Sequence, residues 1–308
     1  MKPSQVPTAH RLIVAEMETE LSRWSDDVPL LWTDRDTPAR LRHADLTLVT
    51  RGMRDAALDG ARDVPAVVFD ELAPSSAGMI VYEGGLPAIE IDMGSEVASA
   101  LTAKAPPGDR QAAMNARVIS GRPTVVGWAT LPEGRAFLGM WAHHSDLSAP
   151  RPNLLAPEDV AWPLLASAII NREAPFDFDV VDDEVSVRAL SLLAATWVMS
   201  STPTVADART TMQPGARIPG QSRRDLPREV NVIQLRRLAR KGGASDPDEH
   251  SEPKGRGYRH QWVVRGHWRQ QAVGKGRQSH RTTWIPSYVK GPEGAPFLPS
   301  ETVFVWRR

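Results

Sequence analysis

The stretch Arg117-Val-Ile-Ser-Gly-Arg-Pro-Thr-Val-Val-Gly-Trp128, followed by Leu131-Pro-Glu-Gly134 and Ala136-Phe-Leu-Gly-Met-Trp-Ala-His143, reads as two strands joined by a tight turn. β-branched and aromatic residues dominate the two arms, and the Pro-Glu-Gly between them has turn chemistry. Upstream, Ala66-Val-Val-Phe69, Met79-Ile-Val-Tyr82 and Ala88-Ile-Glu-Ile-Asp92 are shorter runs of strand formers. The Gly84-Gly85 pair between the last two reads as a hairpin turn. These runs lack the strand–helix–strand alternation of a doubly wound parallel fold. The expected class is therefore α+β: a mixed, mainly antiparallel sheet with flanking helices and a basic, β-rich C-terminal hairpin.

Helical periodicity surrounds the strand runs. Leu12, Ile13, Met17, Leu21 and Trp24 recur at helical spacing over Thr8 to Trp24, with Glu16, Glu18 and Glu20 outside that stripe. Ala44 to Asp59 is expected to be a second helix. Pro157 to Asn171 and Glu184 to Met199 are expected to be two apolar helices, the latter N-capped by Asp183 and facing the core through Trp197. Arg228 to Leu238 reads either as a strand, from Val230, Val232 and Ile233, or as a short helix. Lys241 to Gly257, rich in Gly, Ser, Asp, Glu and Pro, has the composition of a flexible loop or linker.

With 308 residues, 41% of them apolar and 24% charged, the chain has the composition of an ordinary globular protein. At roughly 150 residues per domain, that length suits one large domain or two ordinary ones. Cysteine is absent, so disulfides, thiolate metal sites and cysteine nucleophiles are excluded. No apolar run approaches the roughly 18 residues that span a bilayer. The opening Met1-Lys-Pro-Ser-Gln-Val-Pro7 lacks the apolar stretch of a secretory signal. A cytoplasmic protein with no membrane partner is expected.

The net charge of zero conceals an asymmetry. Residues 1–210 carry 18 Lys and Arg against 29 Asp and Glu, whereas residues 211–308 carry 19 against 8. The division suggests an acidic α+β body over 1–210 and a basic C-terminal region over 211–308, with the flexible loop at 241–257. Opposite fields favour different ligands, although packing of the two parts against each other would also satisfy them.

The basic region carries the clearest functional pattern. Between Lys254 and Lys290 stand nine Lys and Arg and no acidic residue, interleaved with Tyr258, Trp262, Trp268, Trp284 and Tyr288. Cations attract phosphates irrespective of sequence, and aromatic faces stack unpaired bases, so RNA or single-stranded DNA is the natural ligand. If Arg259 to Gln270 is a strand, Arg265, His267 and Arg269 share one face, and His260, Trp262, Val264 and Trp268 the other. Gly266 marks a place for a bulge. Gly274-Lys-Gly276 then forms a tip, and His280 to Pro286 returns as a second strand carrying Arg281 and Trp284. The candidate nucleic-acid-binding residues are Arg259, Arg265, His267, Trp268, Arg269, Lys275, Arg277, Arg281 and Trp284. A solvated basic hairpin whose tryptophans fill a core is the alternative.

The same residues carry a resemblance. Arg265-Gly-His-Trp268, five further residues, Gly274-x-Gly276 and then Trp284-x-Pro286 resemble a motif of one family of anti-CRISPR proteins directed at the type V-A effector nuclease. Upstream order is similar too: an apolar helix ends in Trp197-Val-Met-Ser-Ser-Thr-Pro203, preceded by a Leu86-Pro87 strand that ends at an acidic residue. The resemblance implies the same architecture over about two thirds of the chain. It also implies an inhibitor that blocks production of the nuclease by recognising its nascent polypeptide and bringing about loss of its messenger RNA. The implied partners are RNA or a translating ribosome complex, together with a target polypeptide. The N-terminal part has no counterpart in the motif.

Enzymatic readings are weaker. Glu90 and Asp92 share a face of a strand near Asp70, and three carboxylates can hold Mg²⁺. No lysine follows at metal-nuclease spacing, and no metal or other cofactor is expected. The run Asp177, Asp179, Asp182, Asp183 and Glu184 suits a helix N-terminus electrostatically. His143 and His144, being adjacent on a strand, point to opposite faces and cannot chelate one ion together. His267 flanked by Arg265 and Arg269 has the elements of a metal-independent ribonuclease, with histidine as acid or base and arginine facing the phosphorane. Neither a phosphate-binding glycine loop nor a nucleophile elbow is present. The leading expectation is a non-enzymatic regulator. An RNA-cleaving toxin-like enzyme using His267, Arg265, Arg269 and Arg281, and a phage or plasmid nucleic-acid-binding module, stand beside it.

Overall fold

The computed structural model describes residues 1–23, 35–92, 118–147, 160–216, 225–236, 262–264, 266–274, 276, 278–285 and 288–290. The chain divides into two compact units, Met1–Leu235 and Arg236–Arg308.

The first unit is built on α1 (Val6–Arg23), α2 (Thr37–Leu41), β1 (Asp45–Val49), α3 (Arg51–Gly60), β2 (Val67–Val68), α4 (Phe69–Leu72), β3 (Ala77–Tyr82) and β4 (Ile89–Asp92). β5 (Val118–Gly121), β6 (Val125–Leu131), β7 (Arg135–Trp141), β8 (Leu164–Asn171), β9 (Pro175–Phe176), α5 (Glu184–Ser200), β10 (Ala206–Gln213) and β11 (Arg228–Leu235) follow. A seven-stranded sheet runs in the order β10-β11-β1-β3-β6-β7-β8. β2 with β9, and β4 with β5, form separate two-stranded ribbons.

The class is α+β with a mainly antiparallel sheet, but β1 runs parallel to both β3 and β11. β1–α3–β3 is thus a strand–helix–strand unit that the sequence reading did not contain. The reason lies in burial. Leu46 and Leu48 face one side of β1 and Thr47 and Val49 the other, and all four are buried. Burial on both faces removes the alternation that marks a strand, so Ala44 to Asp59 reads as helix. In fact the helix begins only at Arg51, after Thr50 in extended geometry.

Two further expectations change. Residues 164–171 form β8, paired antiparallel to β7, where a helix over Pro157 to Asn171 was expected. The Leu and Ala content favours helix, and pairing at the sheet margin overrides it. Gly84 and Gly85 do make a turn, both at positive φ, with the Gly85 N–H donating to Tyr82 O at 3.0 Å. The strands on its two sides nevertheless join different sheets, β3 in the large sheet and β4 in the ribbon with β5. The turn at Pro132-Glu133-Gly134 does close a hairpin: Glu133 and Gly134 have positive φ, and Leu131 pairs with Arg135. Arg228–Leu235 is a strand, which settles the alternative left open at that segment.

Helices cover both faces of the sheet. Val6, Ala9, Ile13, Val14 and Met17 of α1 pack with Leu46, Leu48, Met79, Val81, Val230 and Val232 in one core. Glu16, outside the apolar stripe, accepts hydrogen bonds from the Ala161 and Trp162 amides and ties that segment to α1. On the opposite face α5 is buried from Ala189 to Met199, the pattern of a helix enclosed on all sides. Asp183 caps it as expected, accepting from the Val185 N–H. Trp197 packs edge-to-face on Trp128 and on Phe69.

The second unit comprises β12 (Trp262–Val264) paired with β15 (Tyr288–Lys290), and β13 (His267–Val273) paired with β14 (Ser279–Ile285), both antiparallel. The compact units divide after Leu235, whereas the charge changes sign near residue 210. The basic region therefore begins inside the large sheet, because β10 and β11 are strands of that sheet whatever their charge. Residues 241–257 lie outside the described residues.

Candidate nucleic-acid interface

The β13–β14 hairpin turns at Gly274 and Gly276, both at positive φ, which glycine adopts without the Cβ clash. Register then decides which side chains meet. Trp268 faces Trp284, Arg269 faces Thr283, Gln271 faces Arg281, and His267 faces Ile285. Directly opposed residues of an antiparallel pair lie on the same side of the ribbon. His267, Arg269, Gln271, Arg281 and Thr283 therefore share one face, and Trp268, Gln270, Thr282 and Trp284 share the other.

The two faces differ in burial. His267, Arg269, Gln271 and Arg281 are exposed. Among the described residues neither Arg269 nor Arg281 forms an ion pair. On the reverse face the Trp268 and Trp284 rings meet edge-to-face with centroids 5.2 Å apart. Beside them the side chains of Gln270 and Thr282 exchange hydrogen bonds. Trp284 is only 5% exposed, and a Cβ built on Gly266 would lie 2.4 Å from its ring.

This geometry corrects the expectation for Trp284. Its ring packs over Gly266 and against Trp268, so it has no open face on which to stack a base. Trp268 is half-buried on the same side. Rings and guanidinium groups occupy opposite faces, which separates the stacking element from the cationic one. Gly266 stands between β12 and β13, which pair with different strands, so Arg259 to Gln270 is not one continuous strand. His267 and Arg269 do share a face, as alternation predicts. Arg259, Arg265, Lys275 and Arg277 lie outside the described residues, and so do Tyr258 and His260. The exposed Gln271 and the half-buried Thr283, which the sequence reading did not single out, add hydrogen-bonding groups to that face; the register set by the glycine tip is the signal that places them.

Among the described residues no group of three or more His, Asp and Glu side chains could hold a metal ion. Asp70 lies on α4, not on a strand, and pairs with Arg172. Glu90 lines a cavity of about 170 Å³ with Met140, Asp183, Glu184 and Arg188. There Asp183 is engaged as the helix cap, and Glu184 bridges to Arg188 at 2.5 Å. The side chain of Asp92 lies outside the described residues. His143 and His144 follow β7 rather than lying on it; the His143 ring is 2.8 Å from Ser145 Oγ and packs edge-to-face on Trp162.

A histidine not singled out from the sequence, His10 on α1, is buried with Nε2 donating to Leu41 O at 2.8 Å. Burial is the main cause that lowers its pKa from 6.5 to about 4, with Arg228 and Arg11 adding in the same direction. It is a neutral core residue.

No protein-family model matches the chain, and no curated protein matches it. Among the described residues no helix is long and apolar enough to cross a membrane.

Proposed function

We propose that this chain is a non-enzymatic regulator or inhibitor, carried by a phage, prophage or other mobile element, that acts in the cytoplasm by engaging RNA. Contact is made by the open face of the β13–β14 hairpin. The observation that carries this reading is the pair of exposed guanidinium groups, Arg269 and Arg281, on one face with His267, Gln271 and Thr283. Such a face suits the phosphodiester backbone: cations supply attraction, and amide and hydroxyl groups supply hydrogen bonds. Arg259, Arg265, Lys275 and Arg277 add to the charge of the same segment. By its resemblance to the anti-CRISPR family, the regulator acts on a translating complex and recognises a target polypeptide, with the acidic body as the polypeptide-reading part.

The test is the salt dependence of binding to a labelled single-stranded RNA, with duplex RNA as comparator. The slope of log K on log salt is expected to be about −0.7 for each phosphate contact. Arg269→Ala with Arg281→Ala should flatten the slope by about 1.4 on the same scale. An unchanged slope removes this face from the interface. His267 on the arginine face also favours a second reading, direct RNA cleavage. Cleavage by the purified protein that is lost in His267→Ala would establish that reading; intact RNA supports the binding one. Pull-down from cells with and without ribonuclease treatment tests the translating-complex part, which fails if neither RNA nor a specific polypeptide is recovered.

A further inference from the structure

One turn of the first unit gathers arginines from two separate segments. Gly84 and Gly85 follow the carboxyl end of β3, and α3 begins just after the carboxyl end of β1, the strand parallel to it. Arg122 to Thr124 lead into β6 beside them, with the Leu86 N–H donating to Pro123 O at 2.7 Å. The space beyond the carboxyl ends of parallel strands is a common place for ligands. Arg54 braces the turn: its Nη1 donates to Glu83 O and to Gly85 O, each at 2.9 Å, and Asp55 balances its charge. The first amide of α3, that of Arg51, is engaged by the Glu83 carboxylate. The Arg51 and Arg122 side chains differ from that of Arg54. Both residues are exposed, and among the described residues neither guanidinium forms an ion pair or a hydrogen bond.

We propose that the Gly84-Gly85 turn seats a phosphate group, gripped by Arg51 and Arg122 with the Thr124 hydroxyl. The missing side chains make the room. A Cβ built on Gly84 would lie 3.6 Å from both Nε and Nη2 of Arg51, and no other atom of that side chain is nearer. One edge of the donor fork therefore faces the turn, and such an edge matches two oxygens of a phosphate. A Cβ built on Gly85 would lie 2.9 Å from Arg122 Cδ and 3.3 Å from Thr124 Oγ1. The stem of Arg122 thus lies across the second glycine, with a hydroxyl donor beside it. Charge favours the same ligand. The Glu83 and Gly85 carbonyls, which would repel an anion, are occupied by Arg54. Glu83 and Asp55 offset two of the charges on Arg51, Arg54 and Arg122, which leaves one for the ligand. Free phosphate esters and the RNA backbone both present the group. The seat belongs to the first unit and does not rest on the hairpin's reading.

Inorganic phosphate is the probe, titrated into the full chain by calorimetry at constant ionic strength with chloride as the balancing anion. Saturable binding in the millimolar range is expected. Arg51→Ala with Arg122→Ala should weaken it at least about tenfold. Arg51→Lys keeps the charge and loses the fork, so it should weaken binding about fivefold. Thr124→Val should weaken it about threefold. Arg135→Ala, at the β6–β7 turn, should leave it unchanged. Single-stranded RNA is then titrated into the Arg269→Ala, Arg281→Ala protein. RNA binding that survives there and is competed away by phosphate assigns the seat to the RNA backbone. Loss of RNA binding with phosphate binding intact assigns it to a free phosphate ester. The absence of saturable phosphate binding overturns the proposal. So does binding indifferent to Arg51→Lys, or weakened as much by Arg135→Ala as by the Arg51 and Arg122 changes. Neither failure touches the hairpin, whose salt slope is a separate measurement.

Discussion

Each unit of the molecule contains a pair of tryptophans packed edge-to-face over a glycine. In the body Trp128 meets Trp197 with centroids 4.9 Å apart and planes at 74°, and a Cβ on Gly78 would lie 2.2 Å from the Trp128 ring. In the hairpin Trp268 meets Trp284 at 5.2 Å and 67°, above Gly266. The local device is the same, and the surroundings are not. In the body the pair joins the sheet to a helix, and the sheet's other face is covered as well. In the hairpin the pair occupies one face of a two-stranded ribbon and leaves the other open, with its arginines in solvent. Two-stranded ribbons are marginal on their own, so the indole pair holds the ribbon while the opposite face stays available to a ligand.

The largest effect should come from removing the body's pair. Trp128 is 1% exposed and its Nε1 donates to Ser75 O at 2.9 Å. Trp128→Ala should cost about 3–5 kcal/mol in chemical denaturation. A loss below about 1 kcal/mol would show that the tryptophan pair does not bind α5 to the sheet.

A second effect belongs to the body alone. His10 has a folded-state pKa lowered to about 4 against 6.5 unfolded. Above pH 6.5 both states are neutral at this site and it adds no pH dependence. As pH falls through 6.5 the unfolded chain takes up a proton that the folded chain refuses. Stability therefore falls, by about 3 kcal/mol in total, and levels off below pH 4. Urea midpoints measured across this window should fall less steeply in His10→Gln, whose amide can still donate to Leu41 O. Parallel curves for the two proteins would remove His10 as the source.

The hairpin's pair is tested by Gly266→Ala. The added methyl collides with the Trp284 ring, and an overpacked site of this kind costs about 1–3 kcal/mol. RNA affinity should drop about tenfold, although no cationic side chain has changed. If affinity is unaffected, the ring pair does not organise the arginine face.

What the sequence made legible follows from how local each signal is. Asp183 before an apolar run predicts the capped α5, and Gly274 and Gly276 predict the hairpin tip. Alternation alone places His267 with Arg269. The parallel placement of β1 beside β11 could not be read, because Leu46 and Val230 lie far apart in the chain and no local pattern links them. The sequence leaves Trp284 open between a base-stacking ring and a core-filling one, and cross-strand register with Trp268 and the lack of a side chain at Gly266 decide for the second. β1 and β8 were misread for a related reason: burial on both faces, or pairing at a sheet margin, overrides what their composition favours.

The smallest effect concerns a hydroxyl–hydroxyl contact that ties β3 to α5. Tyr82 Oη and Thr196 Oγ1 are 3.0 Å apart and both residues are buried. Burial also raises the Tyr82 pKa, so the phenol stays protonated through the neutral range. Thr196 Oγ1 donates its hydrogen to Leu192 O at 2.8 Å. Tyr82 must then be the donor in the shared bond, and the two residues are not equivalent. Tyr82→Phe removes one bond while Thr196 keeps its partner at Leu192, a loss of about 1 kcal/mol. Thr196→Val instead leaves the Tyr82 hydroxyl buried with no acceptor, a loss of about 1–3 kcal/mol. Once the phenol is gone, Thr196→Val strands no donor, so in the Tyr82→Phe background it should cost less than it does alone. Equal costs in both backgrounds would mean that the hydroxyls do not couple strand to helix, and that aromatic packing alone joins the two layers.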